Sequence, residues 1–478
     1  METGGVLKRI RDPLYNFIEV PGEHYRKVLD HRLVQRLRWI SQLPLEQLVY
    51  PAAQHSRFEH SLGVMHLARR AAQSLVANSL TKLRELRKLD PEFKAAPTTS
   101  WRDIFIDCAG LSGLLHDLGH APFSHTMEDA CTVAGASYNH EDAGLILAKI
   151  VLADAGLDRE TRGQIVLRVL NKKITNEQLG PLEVLLRTII DGPIDVDKGD
   201  YILRDGYHCG VVYGSYDPVR LWDNVVVSDR NRLGVDAKGA LEAWSLRLAR
   251  YKMNECVYKH HVRNITDALL IEIISKGLER CPNGELRRKI LPLETPHEMV
   301  GEDVWAFCSW TDNTLIQALA ATQDHEIKKK IEHFQSRKLY KRCFGINLSE
   351  DYPGFNPKRS EDHAVLRNLM ERYQTAFTPF NYIVTAQVLA PVMEDEVQKN
   401  IRVRVDNKFI PLANFLGFPR RTQGADDEDT SVFAPKMLRV FVEDCQSPEA
   451  TKKRLFRDVQ NTLEPFRAAP NGTPPPPH

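Results

Sequence analysis

His116 and Asp117, neighbours in the run LLHDLGHAPFSH, are the residues around which chemistry can be built. They sit in a stretch from Ile104 to Leu118 that is nearly all apolar apart from Asp107, Ser112 and this pair. Leaving such polar groups unpartnered in a buried helix costs on the order of 1–3 kcal/mol each. Adjacent helical side chains point about 100° apart, yet both can reach an ion between their directions where Gly119 breaks the helix. His60, in HSRFEHSLG, and Asp197, in IDVDKGDY, would complete an N2O2 ligand set suited to a divalent transition metal. Each also has an ordinary reading: His60 as a hydrogen-bonded core histidine, Asp197 as the cap of a helix that begins after it. His120, His125 and His140, the last followed by Glu141, add imidazoles that could hold a polyphosphate, orient water and protonate a leaving oxygen, although any one of them could be a cap or a surface side chain.

The elements that must position these groups read as helices. Val28, Leu29, Leu33, Leu37 and Ile40 recur at helical spacing between Tyr25 and Leu45, and Val64, Leu67, Ala68, Ala71 and Leu75 continue the pattern. Further helices are expected near 139–155, 158–171, 175–189 and 197–207, with one or two long ones between Trp244 and Gly277. Residues 8–280 therefore read as an all-helical body. Residues 281–467 read as a smaller α+β lobe: 317–334 looks helical, whereas 381–389, 401–409 and 437–442 carry β-branched or alternating runs. The acidic segment 420–430 reads as a mobile loop and 468–478, with four consecutive prolines, as a disordered tail.

The 478 residues allow a two-lobed chain, and 42% hydrophobic with 27% charged residues fits a folded one. A net charge of +1 argues against indiscriminate coating of nucleic acid and leaves local basic clusters open. There is no apolar run of membrane-spanning length and no hydrophobic signal core in Met1–Arg11, so a cytoplasmic location is expected. The eight cysteines form no CxxC pair and read as reduced structural thiols.

Taken in order, the strings DPLY, QRLRWISQL, RFEHSLGV, LLHDLGHAPFSH, NHE, IDVDKGDYILRD, RYKMNECVYKHHVRN and RKLYK resemble the HD-domain deoxynucleoside triphosphate triphosphohydrolases, above all the catalytic body of the vertebrate members that also carry a sterile alpha motif. The likeness runs over about residues 8–345. It implies that His60, His116, Asp117 and Asp197 hold one catalytic divalent metal, whether manganese, iron, magnesium, cobalt or zinc, with a second magnesium accompanying the nucleotide. It assigns Arg57, Lys198, Tyr201 and Arg250 to the triphosphate, Gln42 and Leu43 to sugar and base, and Asp205 and Tyr258 to the sugar pocket. His125 is the implied general acid, with His120 and His140 placing phosphate and water and Glu141 orienting them.

The implied reaction is attack of water on the alpha phosphorus of a dNTP, dGTP being favoured, to give deoxynucleoside and intact triphosphate. Lys8, Asp30, Gln35 and Arg38 match a guanine-nucleotide activator pocket, although Asp30 could instead cap the helix starting at His31. Arg220, His261, Arg337 and Lys341 fall at a second activator site for GTP or a dNTP. There Arg11 replaces an asparagine and His261 a lysine of the vertebrate members. Glu128 replaces an aspartate behind the histidines. Such pockets lie between subunits, implying a homodimer or homotetramer, and no sterile alpha motif is expected before Lys8. Control of deoxynucleotide pools, including antiviral defence, would follow from such a reaction. The competing readings are an HD-domain phosphodiesterase or 5′-nucleotidase, and a catalytically silent protein that binds nucleotide or nucleic acid.

Overall fold

The computed structural model describes residues 8–280, 301–347, 351–352, 354, 382–387, 401–417, 437–442 and 449–467. Its body is built on two helices packed along each other, α1 (Arg57–Asn78) and α2 (Trp101–Leu115). Helix α1 begins where it does because the Glu59 side chain reaches back to accept from the Ser56 N–H and hydroxyl. That start puts Arg57 and His60, three residues apart, on one face. Around the pair stand α3 (His125–Val133), α4 (His140–Asp154), α5 (Thr161–Leu170), α6 (Pro181–Ile190), α7 (Val196–Cys209), α8 (Ala240–Met253) and α9 (His261–Arg280). Asn139 caps α4 by accepting from the backbone N–H groups of Glu141 and Asp142, and Pro181 occupies the first turn of α6, where its missing N–H costs nothing.

The periodic stretch from Tyr25 to Leu45 is not one helix. It is helical over Gly22–Leu29 and Arg32–Gln35, tightens to a 3₁₀ turn over Arg36–Trp39 and leaves the helix at the extended Ile40. The apolar positions are buried as their spacing suggested, but the His31 side chain caps a fresh start by accepting from the Leu33 N–H and interrupts the ladder. Nor is the body purely helical. Strands β1 (Lys8–Asp12) and β2 (Asn16–Val20) form a hairpin, and β3 (Val225–Val227) pairs antiparallel with β4 (Leu233–Asp236).

Beyond residue 300 come α10 (Asp312–Ala320) and α11 (His325–Gln335), split where a single helix over 317–334 was expected. The strands expected at 381–389 and 437–442 appear as β6 (Tyr382–Gln387) and β9 (Met437–Val442), joined by β5 (Lys341–Asn347) in an antiparallel sheet of order β5-β9-β6. The run 401–409 becomes a hairpin of β7 (Arg402–Val405) and β8 (Lys408–Pro411) that turns at Asp406 and Asn407, both at positive φ. Strand β7 runs parallel to β4, Val403 opposite Val235, so one four-stranded sheet draws on both sides of residue 280. The segments 420–430 and 468–478 lie outside the described residues. Among the described residues no helix is long and apolar enough to cross a membrane, and Cys108, Cys131, Cys209, Cys256 and Cys308 are free thiols.

Candidate metal centre

The four side chains nominated as ligands converge. Nε2 of His60 lies 3.0 Å from Asp197 Oδ1 and 3.8 Å from Asp117 Oδ2, while Nε2 of His116 lies 3.2 Å from Asp117 Oδ1 and 3.4 Å from Asp197 Oδ1. The other ring nitrogen of each histidine is committed elsewhere. His60 Nδ1 donates to Asp200 Oδ2 at 2.8 Å and His116 Nδ1 to the Gly113 carbonyl at 2.9 Å, which leaves both Nε2 lone pairs aimed inward. His116 Nε2 is buried and makes no hydrogen bond. Two imidazole lone pairs and the Asp197 carboxylate lie close enough together in a largely buried space to hold a divalent cation, and Asp117, bonded by Arg57 and 3.2 Å from His116 Nε2, stands beside them as a further oxygen donor.

The electrostatics agree. Burial opposes a positive charge on His60, but the Asp197 and Asp200 carboxylates outweigh it and raise its pKa, a measure of the negative charge gathered there that a cation would offset. Asp117 is driven well below the usual carboxylate range: burial opposes its charge, but His116 and Arg57 outweigh it. The helix-cap role considered for Asp197 belongs to Asp195, whose side chain accepts from the Lys198 N–H and thereby frees Asp197 to face the histidines.

Behind His60 stands a buried array that the sequence reading does not single out. Asp200 receives both Nε–H and Nη2–H of Arg204 and the hydroxyl of Tyr15, and Arg204 also reaches Asp12. Gly63 makes room for it, because a Cβ there would collide with the Asp200 carboxylate and the Arg204 guanidinium. Gly63→Ala is therefore expected to swing Asp200 off His60 and weaken metal binding by about 10–100-fold, measured by metal titration. Unchanged affinity in the variant would mean that Asp200 does not orient His60.

Beside the metal ligands lies the histidine cluster. The rings of His120 and His140 stack with centroids 4.1 Å apart, and His125 meets each edge-on at 5.2 and 5.3 Å. Glu128 joins two of them, one oxygen 2.8 Å from His125 Nδ1 and the other 2.6 Å from His140 Nδ1, so the longer glutamate still reaches both rings. Glu128, rather than Glu141, is the carboxylate bonded to the His125 and His140 rings. Glu141 is half exposed, near Lys172, on the wall of a cavity of about 180 Å³ that it shares with His116, Asp117, His140 and Asp197. Burial, reinforced by the Arg57 guanidinium, lowers the His120 pKa well below its ordinary value, so His120 stays neutral.

The remaining expected groups fall into two sets. Arg57 donates to Asp117 and to Ser124 Oγ, Lys198 folds onto Asp195, and Tyr201 sits between His60 and Tyr258, with ring centroids at 6.3 and 6.2 Å, and hydrogen-bonds Arg250. Tyr258 donates to Asp205 at 2.6 Å, and the second oxygen of Asp205 lies 2.8 Å from Nε2 of His55, a fully buried histidine that sequence reasoning passed over. The His55 carbonyl accepts from the Gln42 N–H, and Gln42 Oε1 is buried without a hydrogen-bond partner beside buried Leu43. One continuous wall therefore runs from the metal ligands to Gln42. Asp205 acts in it as a holder of Tyr258 and His55.

Of the activator positions, Lys8 pairs with Asp30 at 2.8 Å, and Arg38 donates to Gln35 while its guanidinium covers the Phe58 ring. Asp30 does not cap the next helix, since His31 does. Arg220 donates to the Lys238 carbonyl, Arg337 to the Leu48 carbonyl, His261 packs against His260, and Lys341 is exposed at the start of β5.

Residues 57–202 match the HD domain, and residues 216–416 match the HD associated region. The chain carries an HD domain. Its metal-facing residues from Arg57 to Asp197 all lie inside that match. An uncharacterised protein of Methanocaldococcus jannaschii is 28% identical over 347 residues, covering 72% of this chain and 64% of that protein. The deoxynucleoside triphosphate triphosphohydrolase SAMHD1 of Bos taurus is 28% identical over 367 residues, covering 70% and 58%. This HD-domain chain thus spans less than two thirds of each of these relatives. A phosphohydrolase of Bacteroides thetaiotaomicron shares the fold, with a TM-score of 0.65 at 22% identity over 91% of this chain and all of that one.

Proposed function

We propose that the protein is a metal-dependent deoxynucleoside triphosphate triphosphohydrolase. The observation that carries this reading is the continuity of three groups: the His60, His116 and Asp197 ligand set with Asp117 beside it, a histidine cluster next to them, and a tyrosine–aspartate wall ending at an orphaned amide oxygen on Gln42. A phosphate ester with a sugar and base attached needs all three. A divalent cation in the first group supplies the Lewis acidity that activates water and offsets phosphoryl charge.

The chain's own residues do the rest. Arg57, Lys198 and Arg250 bring positive charge to the phosphates, as guanidinium and ammonium groups suit. His125, 63% exposed and held only through Nδ1, is free to offer its Nε2 proton to the departing 5′ oxygen. His120, kept neutral, and His140 orient phosphate and water. Gln42 reads the nucleoside through a buried acceptor that gains its missing partner on binding, and Tyr201 and Tyr258 line the sugar. Within this reading dGTP is the favoured substrate, Lys8, Asp30, Gln35 and Arg38 form an activator pocket for a guanine nucleotide, and the assembly is a homodimer or homotetramer.

Incubation of the metal-loaded protein with each dNTP is expected to release triphosphate and the matching deoxynucleoside, resolved by ion-exchange chromatography. Deoxynucleoside monophosphate with pyrophosphate would move the attack to another bond and overturn the proposal, and inorganic phosphate from monophosphates alone would favour a 5′-nucleotidase.

A further inference from the structure

The loop Ser41–Glu46, which carries Gln42 and Leu43, and the turn that presents His125 are tied together twice through the region that follows the HD domain. At one end Asp312, at the start of α10, accepts the Ser41 N–H on Oδ2 at 2.9 Å and the Phe123 N–H on Oδ1 at 2.8 Å. At the other end Glu46, 5% exposed, pairs with Arg263 of α9 at 3.5 Å. Arg263 pairs with Asp267 at 3.0 Å, and Asp267 accepts the Thr126 hydroxyl at 2.5 Å. Phe123 and Ser124, between these anchors, have φ of 57° and 51°, a conformation unfavourable for non-glycine residues that persists only where surroundings impose it. That turn is also held by the bond from Arg57 Nε to Ser124 Oγ, by the Ser124 N–H donating to the Ala121 carbonyl, and by the Phe123 ring edge-on to Phe334.

We infer that Asp312 and Arg263 are positioning residues that couple occupancy of the nucleoside pocket to the placement of His125. This rests on the function proposed above. When sugar and base seat against Gln42 and Leu43, the loop settles. Both of its ends then pull on the strained turn, and His125 is brought to the oxygen whose bond to phosphorus breaks. The proton passes from His125 Nε2 to that oxygen, and the histidine is reprotonated from solvent. Neither Asp312 nor Arg263 touches substrate. Asn at 312 keeps one acceptor but presents an N–H₂ to the other backbone N–H, and Gln at 263 removes the charge between Glu46 and Asp267.

The test compares Asp312→Asn and Arg263→Gln with the full-length wild-type protein, on dGTP and on an analogue with sulfur as the bridging 5′ atom, whose thiolate departs without a proton donor. Each variant is expected to lose about 10–100-fold in kcat on dGTP, the cost of a misplaced catalytic group, and less than about threefold on the sulfur analogue. Equal losses on both substrates would assign the two residues a merely structural role, and no loss on either would remove them from the coupling; both results overturn the inference. Should Asp312→Asn fail to fold, Arg263→Gln carries the comparison. Wild-type turnover tests the proposed reaction separately. Coupling is read without turnover by hydrogen exchange at the amides of Ala121 and Phe123–Thr126 with an analogue carrying CH₂ in place of the bridging 5′ oxygen. Protection on binding in the wild type but not in Arg263→Gln supports the inference, and equal protection in both overturns it.

Discussion

Asp197→Ala is expected to leave a folded protein with no tightly bound divalent metal and turnover reduced by on the order of 10³-fold or more, since a catalytic cation contributes several kcal/mol to the transition state. The fold should survive because Asp195, not Asp197, accepts the Lys198 N–H at the start of α7. The opposite pattern is expected of Asp195→Ala, which removes the cap and the partner of Lys198 and costs about 1 kcal/mol or more of stability. Elemental analysis, turnover and thermal unfolding of the two variants separate these roles. An Asp197→Ala protein that retains metal and activity would exclude Asp197 from the centre.

His125→Ala is expected to lower kcat on a dNTP by about 10²–10⁴-fold, the range for loss of a positioned general acid, with metal content intact. Glu128→Gln should reproduce part of that loss, because an amide offers one acceptor where Glu128 now supplies two, to His125 at 2.8 Å and His140 at 2.6 Å. The exposed position of His125 makes a stability effect small, so steady-state kinetics with metal analysis isolates the chemical step. Equal kcat in His125→Ala and wild type would pass the acid role to another group.

Much of the scaffold was legible locally. The helix end before Gly119 and the helices near 139–155 and 158–171 follow from neighbouring residues, because helix signals involve groups within three or four positions, whereas α7 is capped by Asp195, two residues before the Asp197 considered for that role. The stretch from Tyr25 to Leu45 shows the limit of the same reasoning. Its burial pattern is right and its continuity wrong, since apolar spacing reports which face is buried and His31 decides where the ladder restarts. Consecutive residues of a helix do not face each other, so the ring of His140 is bonded not by Glu141 but from another helix, by Glu128.

The sequence by itself determined the chemical types available: two histidines and two carboxylates of the right hardness, a second set of imidazoles, and basic groups near them. Only the tertiary structure decided which oxygen answers which nitrogen. Asp200 lies 140 residues from His60, Asp205 150 from His55, and Asp312 189 from Phe123. Contacts so distant along the chain leave no local periodicity to read. They exist because packing α1 against α2 and α7, and α9 against α3, brings those side chains together while water is excluded, which is also what makes each polar pairing obligatory.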